Sequence, residues 1–264
     1  AISGGRGMVT LASIVPEAAG SLKRMGELSE IMRAAAAKRR LSAFVRVYAS
    51  DDPFREMRTL VHAYGFGPFV PDTVLVGVSG TSPHLGSASR FAAYLAGLGR
   101  NAVFVRERPD SSETAETEKK GAIPRIDVWW RGKNQNGAFM LALASLVVRS
   151  AAGKARVRLC NIAEKGVKAA DAERILKNFL LSSRVDADIF VRDYEPGVSP
   201  LSVINEVSAD AQYAFIGLRP PAADESEESY AEYFRRIREE TQSLRSAVFS
   251  LAADGVDFRS IYRE

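Results

Sequence analysis

Two glycine-bearing loops in this sequence offer the backbone amides and hydroxyls that a phosphate group needs. The first reads Val76-Gly77-Val78-Ser79-Gly80-Thr81-Ser82-Pro83-His84-Leu85-Gly86-Ser87. Gly77, Gly80 and Gly86 let the backbone approach an anion closely, and Ser79, Thr81, Ser82 and Ser87 add hydroxyl donors. An apolar run precedes the loop and an amphipathic helical pattern follows it, so an anion there would meet a helix N-terminus. The plainer reading is a turn whose Ser and Thr residues cap the helix. The second loop, Arg131-Gly132-Lys133-Asn134-Gln135-Asn136-Gly137, follows an apolar run carrying both tryptophans, Trp129 and Trp130, and precedes the very apolar stretch Ala138–Val148. A P-loop requires GxxxxGK[ST], because Lys and Ser/Thr complete the phosphate and magnesium contacts. Here Gly132-Lys133 is followed by Asn134 without the earlier glycine, and no GxGxxG fingerprint occurs. The second loop therefore reads as a connection, with Asn136 as a helix cap.

Acid, base and nucleophile chemistry is sparse. The chain has two histidines, His62 and His84, and one cysteine, Cys160. That count excludes an intrachain disulfide and a cysteine zinc site, and makes a histidine metal site improbable. His62 falls in the last turn of a helical run that Gly65 ends, and Cys160 falls on a core strand as a small hydrophobe. Asp127 and Asp193 stand near strand ends, where carboxylates can act in α/β proteins, but neither has a catalytic partner in sequence. No GxSxG elbow is present. The sequence asks for no enzyme, no metal and no cofactor.

The elements that must position these residues alternate. Apolar, β-branched runs occur at Met8–Val15, Ala43–Ala49, Thr73–Val78, Ala102–Arg106, Ile126–Trp130, Ala155–Ile162, Ile189–Arg192 and Tyr213–Leu218, with helical patterns between them. Short continuous apolar strands separated by amphipathic helices predict an α/β class with mainly parallel sheets covered by helices. A weak repeat supports two similar units. Phe44-Val45-Arg46 opens a strand whose successor ends in Val76-Gly77, and Phe190-Val191-Arg192 opens one whose successor ends in Ile216-Gly217. The boundary is expected near Gly153, giving units 1–153 and 154–264. Residues 106–125 are charged and nearly free of apolar groups, which predicts a mobile inserted loop.

Tyr230, Phe234, Ile237, Thr241, Leu244, Val248 and Leu251 follow alternating steps of four and three, which predicts one long C-terminal helix. That seam can pack on the chain's own sheet or on a second copy, and Tyr230, Phe234, Ile237, Leu244, Val248 and Leu251 are the candidate dimer interface. Of 264 residues, 46% are hydrophobic and 26% charged, with a net charge of +4. This balance suits a globular domain and gives no strong case for nucleic acid. No apolar run reaches the roughly 18–20 residues that cross a bilayer. The opening AISGGRGMVT also lacks the pattern of a secretion signal.

Several stretches together resemble one family. LSAFVRVYASDDPFREMRTLVHAYGFGPFVPDTVLVG (41–77) is similar to the segment that follows the membrane domain in cation-chloride cotransporters. Gly65, Gly67, Pro71, Thr73, Val74, Leu75 and Gly77 carry the match, and Phe66 and Asp72 depart from it. Ile126-Asp127-Val128-Trp129-Trp130, a polar loop, Gly137 and an apolar helix resemble the cytosolic tails of the same family. The family's acidic loop is replaced here by Lys133-Asn134-Gln135-Asn136. The resemblance implies a non-enzymatic C-terminal regulatory domain of a prokaryotic cotransporter of the Na-K-Cl family, on the cytoplasmic side of the membrane. It further implies a membrane domain on the same polypeptide as partner, a homodimer, and a fold distantly like universal stress proteins. The alternative follows from Gly77–Ser87, which resembles the nucleotide loop of universal stress proteins with a shorter spacing between Gly80 and Gly86.

Overall fold

Apolar strands that lack a polar face must be covered on both sides, and the chain meets this by placing a helix after nearly every strand. In the computed structural model the described residues are 8–65, 70–78, 85–107, 124–131, 135–150, 155–183 and 185–253. They form an α/β fold of nine strands and seven helices in two compact units, Ala1–Pro71 and Asp72–Glu264.

The first unit holds β1 (Thr10–Val15), α1 (Ser21–Lys38), β2 (Phe44–Ala49) and α2 (Pro53–Ala63). β1 and β2 pair in parallel, as strands joined by a helical crossover do. Local chemistry starts α2: the Asp52 carboxylate accepts the amides of Phe54 and Arg55, and Pro53 sits where its missing N–H costs nothing. The helix stops at Tyr64, just before Gly65 at φ 151°. His62 lies in its last turn.

The second unit begins with β3 (Thr73–Gly77), α3 (Leu85–Gly97), β4 (Asn101–Glu107), β5 (Arg125–Trp129), α4 (Gln135–Ser150) and β6 (Arg156–Ile162). It continues with α5 (Ala169–Ser183), β7 (Asp188–Arg192), α6 (Pro200–Val207), β8 (Tyr213–Gly217), α7 (Glu227–Glu240) and β9 (Ser246–Leu251). Its seven-stranded sheet has the order β3-β4-β9-β8-β5-β6-β7. Every neighbouring pair is parallel except β4–β9. Helix α4 is buried from Ala138 to Ala144, and its Phe139, Met140 and Leu141 join Ile126, Val128, Leu159 and Phe215 in the core.

Three expectations change. The boundary near Gly153 falls between β5 and β6, which are hydrogen-bonded neighbours in one sheet, so the division lies instead at Pro71–Asp72. Of the loop expected at 106–125, Arg106 and Glu107 belong to β4 and Arg125 opens β5, while 108–123 lie outside the described residues. The single C-terminal helix is a helix and a strand. α7 ends at Glu240, where the Thr241 hydroxyl turns back to donate to the Ile237 carbonyl, and Ser246–Leu251 becomes β9 between β4 and β8. Apolar spacing over so short a run fits a helix face and a buried strand equally well, and strand pairing decides between them.

Candidate functional site

In an open parallel sheet, ligands bind at the carboxyl ends of the strands where the order reverses, here between β5 and β8. Those strand ends are occupied by the protein's own side chains. Asn136, in the first turn of α4, is buried. Its Nδ2 donates to the Leu218 carbonyl at 2.9 Å and the Ser250 carbonyl at 2.8 Å, and its Oδ1 accepts from the Ser250 hydroxyl at 3.2 Å. The expected cap residue therefore ties α4 to the ends of β8 and β9. Beside it, the Trp130 indole lies directly on the Gly137 backbone, where a Cβ would overlap the ring. The same indole packs at a tilt against Phe179, 4.2 Å between ring centroids. This first turn is a packed joint, and only glycine at 137 leaves room for the ring.

The other candidate loop is described at its two ends. Gly77 closes β3, and Gly86 and Ser87 lie in the first turn of α3; Ser79, Gly80, Thr81 and Ser82 lie outside the described residues. The topologically matching connection, from β8 to α7, is fully described. Arg219 and Glu225 form a two-pronged ion pair with both N–O distances 2.6 Å. The Glu225 carboxylate also accepts the Ala222 amide at 3.1 Å and the Ser229 hydroxyl at 3.3 Å. Arg219 lies over the Tyr233 ring at 4.3 Å, and the Tyr230 hydroxyl donates to the Arg219 carbonyl at 2.9 Å. The Arg219 guanidinium is the main cause that pushes the Glu225 carboxyl down to about 2. Burial raises the Tyr230 and Tyr233 phenols. A cavity of about 360 Å³ opens here, lined by Arg219, Glu225, Ser229, Glu232, Tyr233 and Arg236. Just before the start of α7, where an external anion would be attracted, the loop already carries Glu225. An incoming phosphate would have to displace a carboxylate held by charge-assisted bonds. The sequence hid this pair because Arg219 and Glu225 come together only when the loop folds back.

Asp127 is completely buried in the middle of β5. Arg125 donates to it at 3.0 Å, Arg158 at 3.0 and 2.7 Å, and the Ser208 hydroxyl at 2.7 Å. Ser208 in turn accepts the Trp129 indole N–H at 2.9 Å, and both arginines reach the Val207 carbonyl. Arg125 also pairs with Asp210, holding that carboxyl below its usual range. This network fastens the end of α6 to β5 and β6; it offers two cations already neutralised and no nucleophile. Nearby Cys160 is buried, and that burial pushes its thiol up to about 12. Asp193 caps the start of α5 by accepting the Ala169 amide at 3.1 Å.

The candidate dimer seam is corrected. Tyr230, Phe234 and Ile237 face the interior from α7, Leu244 is buried in the following turn, and Val248 and Leu251 are buried in β9. Phe234 packs edge-on against Phe104 at 5.1 Å and Phe249 at 5.4 Å. The seam is internal core, so none of the six can face a second copy. Among the described residues no helix is long and apolar enough to cross a membrane, and no group of His, Cys, Asp and Glu could hold a metal ion.

No protein-family model matches the chain, and no curated protein matches it. Solved structures do. The cytoplasmic domain of a prokaryotic cation chloride cotransporter superposes with a TM-score of 0.63 at 13% identity, covering 98% of this chain and 90% of that one. A universal stress protein from Archaeoglobus fulgidus DSM 4304 superposes at 0.55 with 13% identity, covering 95% and 88%. A functionally unknown protein from Pseudomonas aeruginosa PAO1 superposes at 0.57 with 9% identity, covering 99% and 88%. At such identities the likeness is one of fold: the chain has the α/β architecture shared by a cotransporter cytoplasmic domain and universal stress proteins.

Proposed function

We propose that this chain is a non-enzymatic cytoplasmic regulatory domain of a cation-chloride cotransporter, acting through contacts with its membrane domain and with a second copy. The observation that carries the reading is the joint at Trp130, Asn136 and Gly137. Trp130 and Gly137, which belong to the stretch that resembles cotransporter tails, pack together with Asn136, which does not, at the place where an α/β sheet ordinarily binds its ligand. The fold likeness over 98% of the chain supports the same assignment. On this reading the core is rigid and the output is mechanical: the domain's association state biases the attached transporter. Contact between copies must use a surface other than the Tyr230–Leu251 seam.

The second reading, a nucleotide-binding protein of the universal stress type, draws on the fold likeness to such a protein and on the loop Gly77–Ser87. Titration calorimetry with ATP separates the two. A regulatory domain gives no saturable heat; saturable binding that is lost on replacing Gly80 or Ser82 overturns the proposal in favour of the second reading.

A further inference from the structure

The second unit contains an internal two-fold relation that its own strand pairing reveals. β3 and β8 each end in glycine, Gly77 and Gly217, and each runs parallel to the strand that follows it, β4 and β9. The residue after each glycine makes the same hydrogen bond: Val78 N–H donates to the Val105 carbonyl and Leu218 N–H to the Ser250 carbonyl, both at 2.8 Å. Val105 thus corresponds to Ser250, Phe104 to Phe249 and Val103 to Val248. The antiparallel β4–β9 register pairs Phe104 with Phe249, Val103 with Ser250 and Val105 with Val248. Each pair is mapped onto itself or its mate by that correspondence, so a local dyad passes through Phe104–Phe249.

The dyad is broken at one place. β8 has β9 on one edge and β5 on the other, whereas among the described residues β3 pairs with β4 alone. The missing neighbour leaves its mark on the side chains. Phe215 of β8 is 3% exposed beneath α4, while its counterpart Leu75 of β3 is 48% exposed. A Cβ on Gly217 would meet Asn136 at 3.0 Å and Met140 at 3.3 Å, both from α4; a Cβ on Gly77 would meet nothing within 4 Å. Among the described residues, therefore, the edge amides and carbonyls of β3 have no strand partner and the face over Leu75 and Gly77 has no covering helix, where the other half carries both. An exposed parallel edge with an apolar residue on it favours addition of a further strand.

We propose that the free edge of β3 receives a parallel apolar strand followed by an apolar helix, the counterpart of β5 and α4, carried on the same polypeptide N-terminal to β1. The order of elements assigns the source. β5 and α4 stand immediately before the crossover β6-α5-β7, and the matching parallel crossover in the first unit is β1-α1-β2. The size agrees: about a tenth of each of the three solved structures of like fold is left uncovered by this chain, which is about one strand–helix unit such as Arg125–Ser150.

Hydrogen exchange on the β3 amides, Val74–Gly77, tests this. Two samples are compared: the chain as Ala1–Glu264, and the longer natural polypeptide with the residues that precede Ala1. In the longer protein the free-edge amides of β3 are expected to exchange about a hundredfold or more slowly than in the shorter one. Leu75→Asp is expected to erase most of that protection while leaving exchange in β5 and β8 unchanged. Should the shorter chain prove insoluble, the longer protein alone decides, through the contrast between wild type and Leu75→Asp. Equal exchange in both lengths overturns the proposal, as does a preceding sequence with no apolar strand and helix. Protection of β3 that grows with concentration of the shorter chain gives the edge to a second copy and also overturns it.

Discussion

Replacing Gly137 by alanine sets two physical effects against each other, and the structure says which wins. Gly137 lies within helix α4, where alanine is ordinarily favoured over glycine by about 1 kcal/mol. Its Cβ, however, would overlap atoms Cδ1 and Nε1 of the Trp130 indole, which is itself buried and packed against Phe179. Relief requires the ring to leave its position or α4 to shift from the sheet, an overpacking cost of about 1–3 kcal/mol in well-packed cores and more when a ring must move. The net expectation is destabilisation by about 1–2 kcal/mol, a fall in Tm of several degrees for a chain of this size. Urea unfolding followed by far-ultraviolet circular dichroism measures it without relying on the altered tryptophan environment. A cycle with Trp130→Phe isolates the cause: the smaller ring should recover about 1 kcal/mol of the alanine penalty, a coupling expected only between touching groups. If Gly137→Ala is as stable as the parent, or more so, propensity outweighs packing and the reading of this turn as a glycine-dependent joint is wrong.

Other consequences can be measured on the same protein. Asp127→Ala leaves Arg125 and Arg158 without their shared carboxylate. Breaking a fully buried pair costs about 3–5 kcal/mol, and because these arginines are 26% and 19% exposed about 2–4 kcal/mol is expected. A loss below about 1 kcal/mol in denaturant titration would show the network to be dispensable. The folded-state pKa of Glu225 is depressed, so its pairing with Arg219 stabilises fully above the ordinary value of 4.5 and loses that effect as pH falls towards about 2. The Tm gap between wild type and Glu225→Gln should accordingly be constant from pH 7 to 5 and narrow below 4.5; a gap independent of pH in that lower range contradicts the pairing. Cys160, with its thiol held near 12, should resist a disulfide reagent at pH 8 until the protein unfolds. Rapid labelling of the native protein would contradict its burial.

Eight of the nine strands and the α/β class were legible in the residues, because buried parallel strands leave short unbroken apolar runs that helices and polar turns separate. The helix stop before Gly65 was legible for the same reason: it depends on neighbours in the chain. What depended on distant partners was not. Ser246–Leu251 carries the spacing of a helix face, yet pairing with β4 and β8 makes it a strand and turns the expected dimer seam into core. Gly153 separates two apolar runs without a β partner in view, but β5 and β6 lie side by side and carry one sheet past it. Asn136 reads as a cap from its place before a helix, and only the folded sheet brings the Leu218 and Ser250 carbonyls to its amide. The ion clusters at Asp127 and Glu225 likewise join residues whose charges are commonplace in sequence. Local hydrogen bonding and hydrophobic period thus determined which elements form. Long-range strand pairing, which fixes the register and decides which face is buried, determined what those elements became.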